Sequence, residues 1–161
     1  MSFRTGIGYD LHRTARGRRL ILGGVQIESE VGLLGHSDAD VVLHALCDAL
    51  LGAAGLGDIG DLFPDTDPAY AGADSGRFLQ DVLGRVRAAG FRVENADLII
   101  HAERPRLGPH KQRIRDSVAR LLEIEPGAVG VKATTNEGLD AVGRGEALAC
   151  WATVLIRDAR G

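Results

Sequence analysis

Gly35-His36-Ser37-Asp38-Ala39-Asp40-Val41-Val42-Leu43-His44-Ala45-Leu46-Cys47-Asp48 is a polar turn that runs directly into an apolar, helix-forming segment. The run predicts a helix over residues 39–51, with Ser37 or Asp38 as its N-cap. Nearly every residue of that helix is apolar, yet Asp40, His44 and Asp48 recur at spacing four and so share one helical face. Burying carboxylates and an imidazole without partners is costly. Two readings are open at this point: the face looks into water, or it meets a metal, a ligand or a charge network.

Working outward, 161 residues with 45% hydrophobic and 25% charged content fit one soluble domain, expected to occupy residues 1–161. A formal charge of -3 argues against nucleic acid as a partner, since that footprint needs a clustered basic surface. No apolar run approaches the roughly 20 residues of a membrane helix, and Met1-Ser2-Phe3-Arg4 lacks a signal peptide's apolar stretch. No membrane association and a cytoplasmic location are expected. Cys47 and Cys150 lie far apart in apolar company, which reads as packing rather than a disulfide or a cysteine metal site.

Along the chain, residues 4–9 read as a strand ending in Asp10-Leu11-His12, where spacing two puts Asp10 and His12 on one side. Residues 19–22 and 25–27 flank Gly23-Gly24, the signature of a two-residue hairpin turn. Residues 52–66 form a long loop with Gly55, Gly57 and Gly60 among aspartates, but its Leu56, Ile59, Leu62 and Phe63 point to a packed, functional loop. Amphipathic patterning predicts a helix over 75–89, with Phe78, Leu79, Val82, Leu83 and Val86 inward and Gly90 stopping it. A strand over 91–102, a helix from Pro109 to about residue 122, a strand over 129–133 and a final strand over 147–157 complete the list. The expected fold class is α+β, an α/β sandwich-like single domain. It has a mixed four-stranded sheet, helices packed on one side and a small hairpin.

Asp10, His12 and His44 make a nitrogen–oxygen set suited to zinc, with a fourth position left open for a ligand. Asp40 and Asp48, one turn either side of His44, are placed to orient those ligands. The helix start at Ser37, together with Lys132, Thr134, Thr135 and Arg144, offers amide, hydroxyl and cationic groups of the kind that hold phosphate. Glu137 could hold a hard cation such as magnesium, which takes one or two carboxylates and completes its shell with phosphate oxygens. Spacing therefore reaches a metal-dependent, phosphate-handling site.

Asp10-Leu11-His12, His36 to His44, Gly57-Asp58-Ile59-Gly60, Phe63-Pro64-Asp65-Thr66-Asp67, Lys132-Ala133-Thr134-Thr135-Asn136-Glu137 and Gly143-Arg144-Gly145-Glu146 together resemble the 2-C-methyl-D-erythritol 2,4-cyclodiphosphate synthase family. The resemblance runs in order over essentially the whole chain. It implies that Asp10, His12 and His44 bind one zinc per subunit, and that Glu137 helps hold magnesium or manganese at the substrate diphosphate. His36 and Thr135 are implied as catalytic residues at the reacting phosphate. Substrate contacts are implied for Asp10, His12, His36 and Ser37, and for Asp58, Ile59, Gly60, Phe63, Pro64, Asp65, Thr66 and Asp67 around the methylerythritol phosphate. The cytidine pocket is implied to involve Ala102, Glu103, Arg104, Pro105, Arg106, Leu107, Gly108 and Thr134. Lys132, Ala133, Thr135, Asn136, Glu137, Ala141 and Arg144 complete the implied contacts. A homotrimer with sites between subunits is also implied.

The implied reaction converts 4-diphosphocytidyl-2-C-methyl-D-erythritol 2-phosphate into the 2,4-cyclodiphosphate and CMP, in non-mevalonate isoprenoid precursor synthesis. The substrate's own 2-phosphate is the nucleophile, which makes the enzyme a phosphorus–oxygen lyase. Two rivals are a zinc-dependent phosphate-ester hydrolase and a non-catalytic trimer that binds a phosphate ligand. This chain departs from the family where Leu139-Asp140-Ala141 replaces a frequent Leu-Gly-Phe, and where Arg106 replaces a frequent lysine. The first departure bears on an apolar central cavity that some members have near Tyr9, Arg144 and Glu146. The family is sometimes fused to a cytidylyltransferase, and with 161 residues used by one domain no such second activity is expected here.

Overall fold

Helix α1 (Val41–Ala54) is buried on almost every side, which matches its all-round apolar sequence and makes it the middle of the molecule. The computed structural model describes residues 2–159. Its main sheet has the order β4 (Val31–Leu34), β1 (Phe3–Arg16), β7 (Ala147–Asp158), β5 (Phe91–His101), β6 (Val129–Thr134). Only the β5–β6 pair is parallel. A separate hairpin joins β2 (Leu20–Leu22) and β3 (Val25–Ile27) across Gly23 and Gly24, whose φ values of 61° and 75° suit the expected tight turn.

The mixed sheet has five strands where four were expected. The extra one is β4, which pairs with Arg13–Arg16 because β1 does not stop at Tyr9 but continues through Asp10 and His12. Helix α1 starts two residues later than the pattern predicts and runs to Ala54, with Asp40 rather than Ser37 or Asp38 as its N-cap. The loop after α1 contains a short helix, α2 (Ile59–Leu62), closed by a capping box between Asp58 and Asp61. Helices α3 (Ser75–Ala88) and α4 (Lys111–Leu122) present Phe78, Leu79, Val82, Ile114, Val118 and Leu122 to the core, as their periodicity requires. A final short helix, α5 (Asp140–Gly143), packs near the start of β7.

The long helices lie on one side of the sheet. Alternation along β1 sends Gly6, Gly8, Asp10 and His12 toward α1 and leaves Ile7, Tyr9 and Leu11 on the other face, with Ile7 64% exposed. Gly6 and Gly8 let the helix approach closely: a Cβ at either position would fall 1.9 Å from the Ala49 or Ala45 carbonyl oxygen. That approach sets how near His44, on the first turn of α1, comes to Asp10 and His12. On the open face, Tyr9 and Trp151 pack ring to ring at 4.5 Å between centroids.

Gly8→Ala is expected to destabilise the fold by about 3 kcal/mol, because the clash is with helix backbone that cannot rotate away. Gly84 lies on the exposed side of α3 with open space where a Cβ would go, so Gly84→Ala is expected to stabilise by about 0.5–1 kcal/mol. Urea unfolding of both variants checks the pair; a neutral Gly8→Ala would mean the helix can slide on the sheet.

Candidate metal centre and two flanking clefts

Asp10 and His12 reach the seam from β1, and His44 meets them from α1. The carboxylate oxygen Asp10 Oδ2 lies 2.9 Å from His12 Nε2 and 3.1 Å from His44 Nδ1. The two ring nitrogens are 3.1 Å apart, and all three candidate ligand atoms fall within 4.8 Å of one another. The opposite nitrogen of each ring is engaged elsewhere. His12 Nδ1 donates to the Leu34 carbonyl at 3.0 Å, and His44 Nε2 lies 2.9 Å from Ser75 Oγ.

This donor set fits a metal on its own chemistry. A carbonyl only accepts, so His12 Nδ1 carries a proton and the neutral ring turns the lone pair of Nε2 toward Asp10 and His44. Lone pairs of two imidazoles and a carboxylate converging at about 3 Å repel unless a cation sits among them, and a divalent ion accepts from all three. Without a metal, a proton takes that role. Burial pushes the Asp10 carboxyl up, but hydrogen bonds from His12 and His44 outweigh it and hold the group at about 2. Burial lowers His12, and the hydrogen bond and charge of Asp10 overcome it to leave the imidazole raised.

The helical stripe divides into three separate jobs. Asp40 and Asp48 do not orient the ligands as expected. Asp40, fully buried, accepts from Gly23, Gly24, Val42 and Leu43 amides, and burial pushes its carboxyl up to about 6. Asp48 accepts from the Ile59 amide at 2.8 Å and so ties α2 to α1. Only His44 faces the other ligands. Cys47 and Cys150 are buried free thiols, in keeping with a packing role.

Beside the triad lies a cleft of about 600 Å³ that gathers His36, Ser37, Ile59, Gly60, Phe63, Pro64 and Asp65 with Asp10, His12 and His44. His36 Nε2 donates to the Asp67 carbonyl at 2.8 Å, which pins this loop across the cleft. Asp58 caps α2 and Asp67 caps the turn at Pro68–Tyr70, so both support the wall with their side chains. Thr66 stands between them in that loop. Tyr70 and Phe78 also line this cleft, Ser75 lies buried behind it against His44, and all three were missed as site residues. Phe78 stacks on Phe63 at 4.5 Å, and its helical periodicity gave it the look of plain core.

A second cleft, about 1080 Å³, gathers Glu103, Arg104, Pro105, Arg106, Thr135 and Arg144 with Ser29, Glu30 and Val31. Ala102 and Leu107 are buried behind it, and Gly108 opens the turn into α4. Lys132 forms an ion pair with Asp97, and Ala133 pairs with Ile100 in the sheet. Asn136 bridges His101 at 2.8 Å and Asp140 at 2.9 Å, and its amide donates to Glu103. These contacts frame Glu137, whose φ of 53° is left-handed. Asp140 is also left-handed at 59°, a conformation that aspartate tolerates and glycine favours, and it caps Val142 and Gly143 of α5, next to Ala141.

The two clefts are separate within one chain. Thr134 pairs with His101, His101 with Ala149, and Ala149 with Leu11, so Thr134 stands three strand spacings, about 14 Å, from the β1 end of the triad. His36 and Thr135 are therefore not brought together in a single subunit.

A one-sided α+β layer with a His–His–Asp metal triad at the helix–sheet seam is the architecture of a metal-dependent enzyme. Residues 3–157 match the YgbB family, and the chain belongs to it, as a member of the 2-C-methyl-D-erythritol 2,4-cyclodiphosphate synthases. A synthase of that name from a Nostoc species is 55% identical over 156 residues, 97% of this chain and 94% of its own length. A solved synthase structure in a CDP-bound form is 45% identical with a TM-score of 0.89, covering 96% of this chain and 100% of that one. The bifunctional IspDF of Campylobacter jejuni has a TM-score of 0.93 at 42% identity, and this chain spans 42% of its length.

Metal-free protein is expected to take up about one divalent transition-metal ion per chain, and His44→Ala to lose it while staying folded. The raised His12 group stays protonated to higher pH than a free imidazole, so protons compete with the metal from above its usual range downward. Metal affinity should therefore fall as pH drops from about 8 to about 6. Chelator competition across that range checks both; uptake unchanged in His44→Ala would place the metal elsewhere.

Proposed function

We propose that this chain converts 4-diphosphocytidyl-2-C-methyl-D-erythritol 2-phosphate into 2-C-methyl-D-erythritol 2,4-cyclodiphosphate and CMP, acting as a cytoplasmic phosphorus–oxygen lyase of non-mevalonate isoprenoid synthesis. The observation that carries the reading is the converging Asp10–His12–His44 set at the mouth of a cleft, in a chain 55% identical to a named synthase over nearly all its length. Asp10, His12 and His44 would hold zinc, and Glu137 would hold magnesium or manganese. When bound, these cations supply charge neutralisation and fix phosphate oxygens in place.

The chemistry needs no protein nucleophile. A phosphate monoester is mostly dianionic near pH 7, with its second pKa about 6, so the 2-phosphate oxygen attacks without a general base. It forms a bond to the β-phosphorus while the bond to the CMP oxygen breaks, and the electron pair leaves with CMP. The obstacle is repulsion: two unit charges about 4 Å apart cost about 4 kcal/mol at an effective dielectric of about 20. The chain's part is to position the reacting groups and exclude water. His36, held by the Asp67 carbonyl, and the Ser37 hydroxyl face the cleft where the methylerythritol phosphate would lie. Thr135 and the arginines at 104, 106 and 144 line the cleft suited to the cytidine half.

A homotrimer with sites between subunits is part of this proposal, and two features support it. The triad and Thr135 lie in separate clefts of one chain, so a complete site needs the second cleft from a neighbour. The sheet's open face also exposes Phe3, Ile7, Tyr9, Leu11 and Trp151, an apolar surface of the kind that subunits bury.

Two experiments test the reading. In water enriched in heavy oxygen, cyclisation puts no solvent oxygen into either product, whereas hydrolysis labels CMP or an open-chain phosphate; label incorporated during turnover would sink the synthase reading. Glu137→Gln is expected to lower turnover about 100-fold with zinc content unchanged, and a normal rate with normal magnesium dependence would remove Glu137 from the site.

A further inference from the structure

The nitrogen of His44 that faces away from Asp10 sits against two hydroxyls. His44 Nε2 is 2.9 Å from Ser75 Oγ and 3.2 Å from Ser37 Oγ. Ser75 is 0% exposed, and its Oγ–H donates to Asp38 Oδ1 in the closest contact of the cluster. Asp38 is committed as an acceptor on both oxygens, taking the Ser75 amide at 3.1 Å on Oδ2 and the Asp40 amide at 3.1 Å on Oδ1. A carboxylate cannot return a proton to that serine.

The direction of the His44 contact follows from this. With its only proton given to Asp38, Ser75 Oγ can only accept, so His44 Nε2 must carry the hydrogen. The reverse tautomer would set a nitrogen lone pair against the Ser75 oxygen lone pair at 2.9 Å inside the protein and leave that nitrogen only the longer 3.2 Å contact to the Ser37 hydroxyl. Ser37 fits the same arrangement, because its Oγ accepts from the Ala39 amide and its hydroxyl proton stays available to the cleft. The hydroxyl of Ser75 also has no duty in its own helix, since Asp74 caps α3 through the Gly76 amide. A fully buried hydroxyl unused by its helix and set between a carboxylate and a metal-ligand imidazole is suited to orienting that imidazole.

We propose that Ser75, anchored by Asp38, is the positioning residue that locks His44 as the Nε2–H tautomer and so turns the Nδ1 lone pair to the metal. The proposal rests on the metal reading of the triad. For His12 the same task falls to the Leu34 backbone carbonyl, so Ser75 and Asp38 are the side-chain part of the device. Removing the acceptor behind His44 frees the ring to flip or to change tautomer, which weakens the site without deleting a ligand.

The test is zinc affinity, measured by chelator competition on metal-free protein refilled with zinc alone. Ser75→Ala and Asp38→Asn are each expected to lose about 10–100-fold in zinc affinity, with turnover recovering most of its rate in excess zinc. Ser117→Ala removes another buried serine, on α4 and bonded to Arg120, and should leave the affinity unchanged. Long-range proton–nitrogen NMR on the unaltered metal-free protein gives a reading that needs no variant, and should show hydrogen on His44 Nε2. Tight zinc binding by the wild type with Ser75→Ala within about twofold of it, or a His44 Nε2 that carries no hydrogen, overturns this proposal alone. Absence of zinc binding by the wild type overturns the metal reading and the proposal with it.

Discussion

A single buried carboxylate organises the seam on which the site is built. Asp40 takes the Gly23 and Gly24 amides at 2.9 and 2.7 Å and the Val42 and Leu43 amides at 3.1 Å each. One half of that set closes the hairpin turn and the other half caps α1, so a charge that would be intolerable in dry surroundings is surrounded by four donors. Because α1 begins where Asp40 caps it, His44 comes up one turn later on the side facing the sheet. The position of a candidate metal ligand is thus decided by a residue that stands outside the triad.

The sheet supplies the complementary half. Strand alternation decides that Asp10 and His12 share the helix side with Gly6 and Gly8, and the missing side chains of those glycines let α1 settle close enough for His44 to meet them. One parity of β1 carries both the packing rule and the chemistry. The other parity carries Ile7, Tyr9 and Leu11 onto an open face that the described residues leave uncovered.

Much of this was legible in the residues. Spacing two in Asp10-Leu11-His12 and the helical position of His44 were enough to single out the three residues that the fold brings together as candidate ligands, and Gly23-Gly24 was enough to place the hairpin. The extent of β1 was not, because its second half is decided by pairing with β4 across a long separation in sequence, and Val31–Leu34 is too short to announce itself as a strand. The spacing-four stripe misled in a specific way. Residues at equal spacing share a face only inside a helix, and Asp40 is a cap with extended backbone, so its carboxylate turns back onto amide donors. Ser75 gave no signal at all, since a serine at the start of a helix reads as part of the cap and its use as an acceptor for His44 depends on tertiary contact alone.

The charges of the two clefts give the proposed metal a physical role. The cleft at the triad is lined by Asp10, Asp48 and Asp65 and, among the described residues, by no lysine or arginine. The other is lined by Arg104, Arg106 and Arg144 against Glu30 and Glu103, so it can receive an anion through permanent cations. A phosphate entering the first cleft would meet carboxylates with only imidazoles and hydroxyls to balance them, in a chain whose net charge is already -3. Repulsion of a few kcal/mol per close charge pair would keep it out. A divalent cation among Asp10, His12 and His44 would reverse that balance at the one point where the carboxylate and the imidazoles converge, so in the proposed function the residues that exclude phosphate from the bare cleft would be those that admit it once the cation is held.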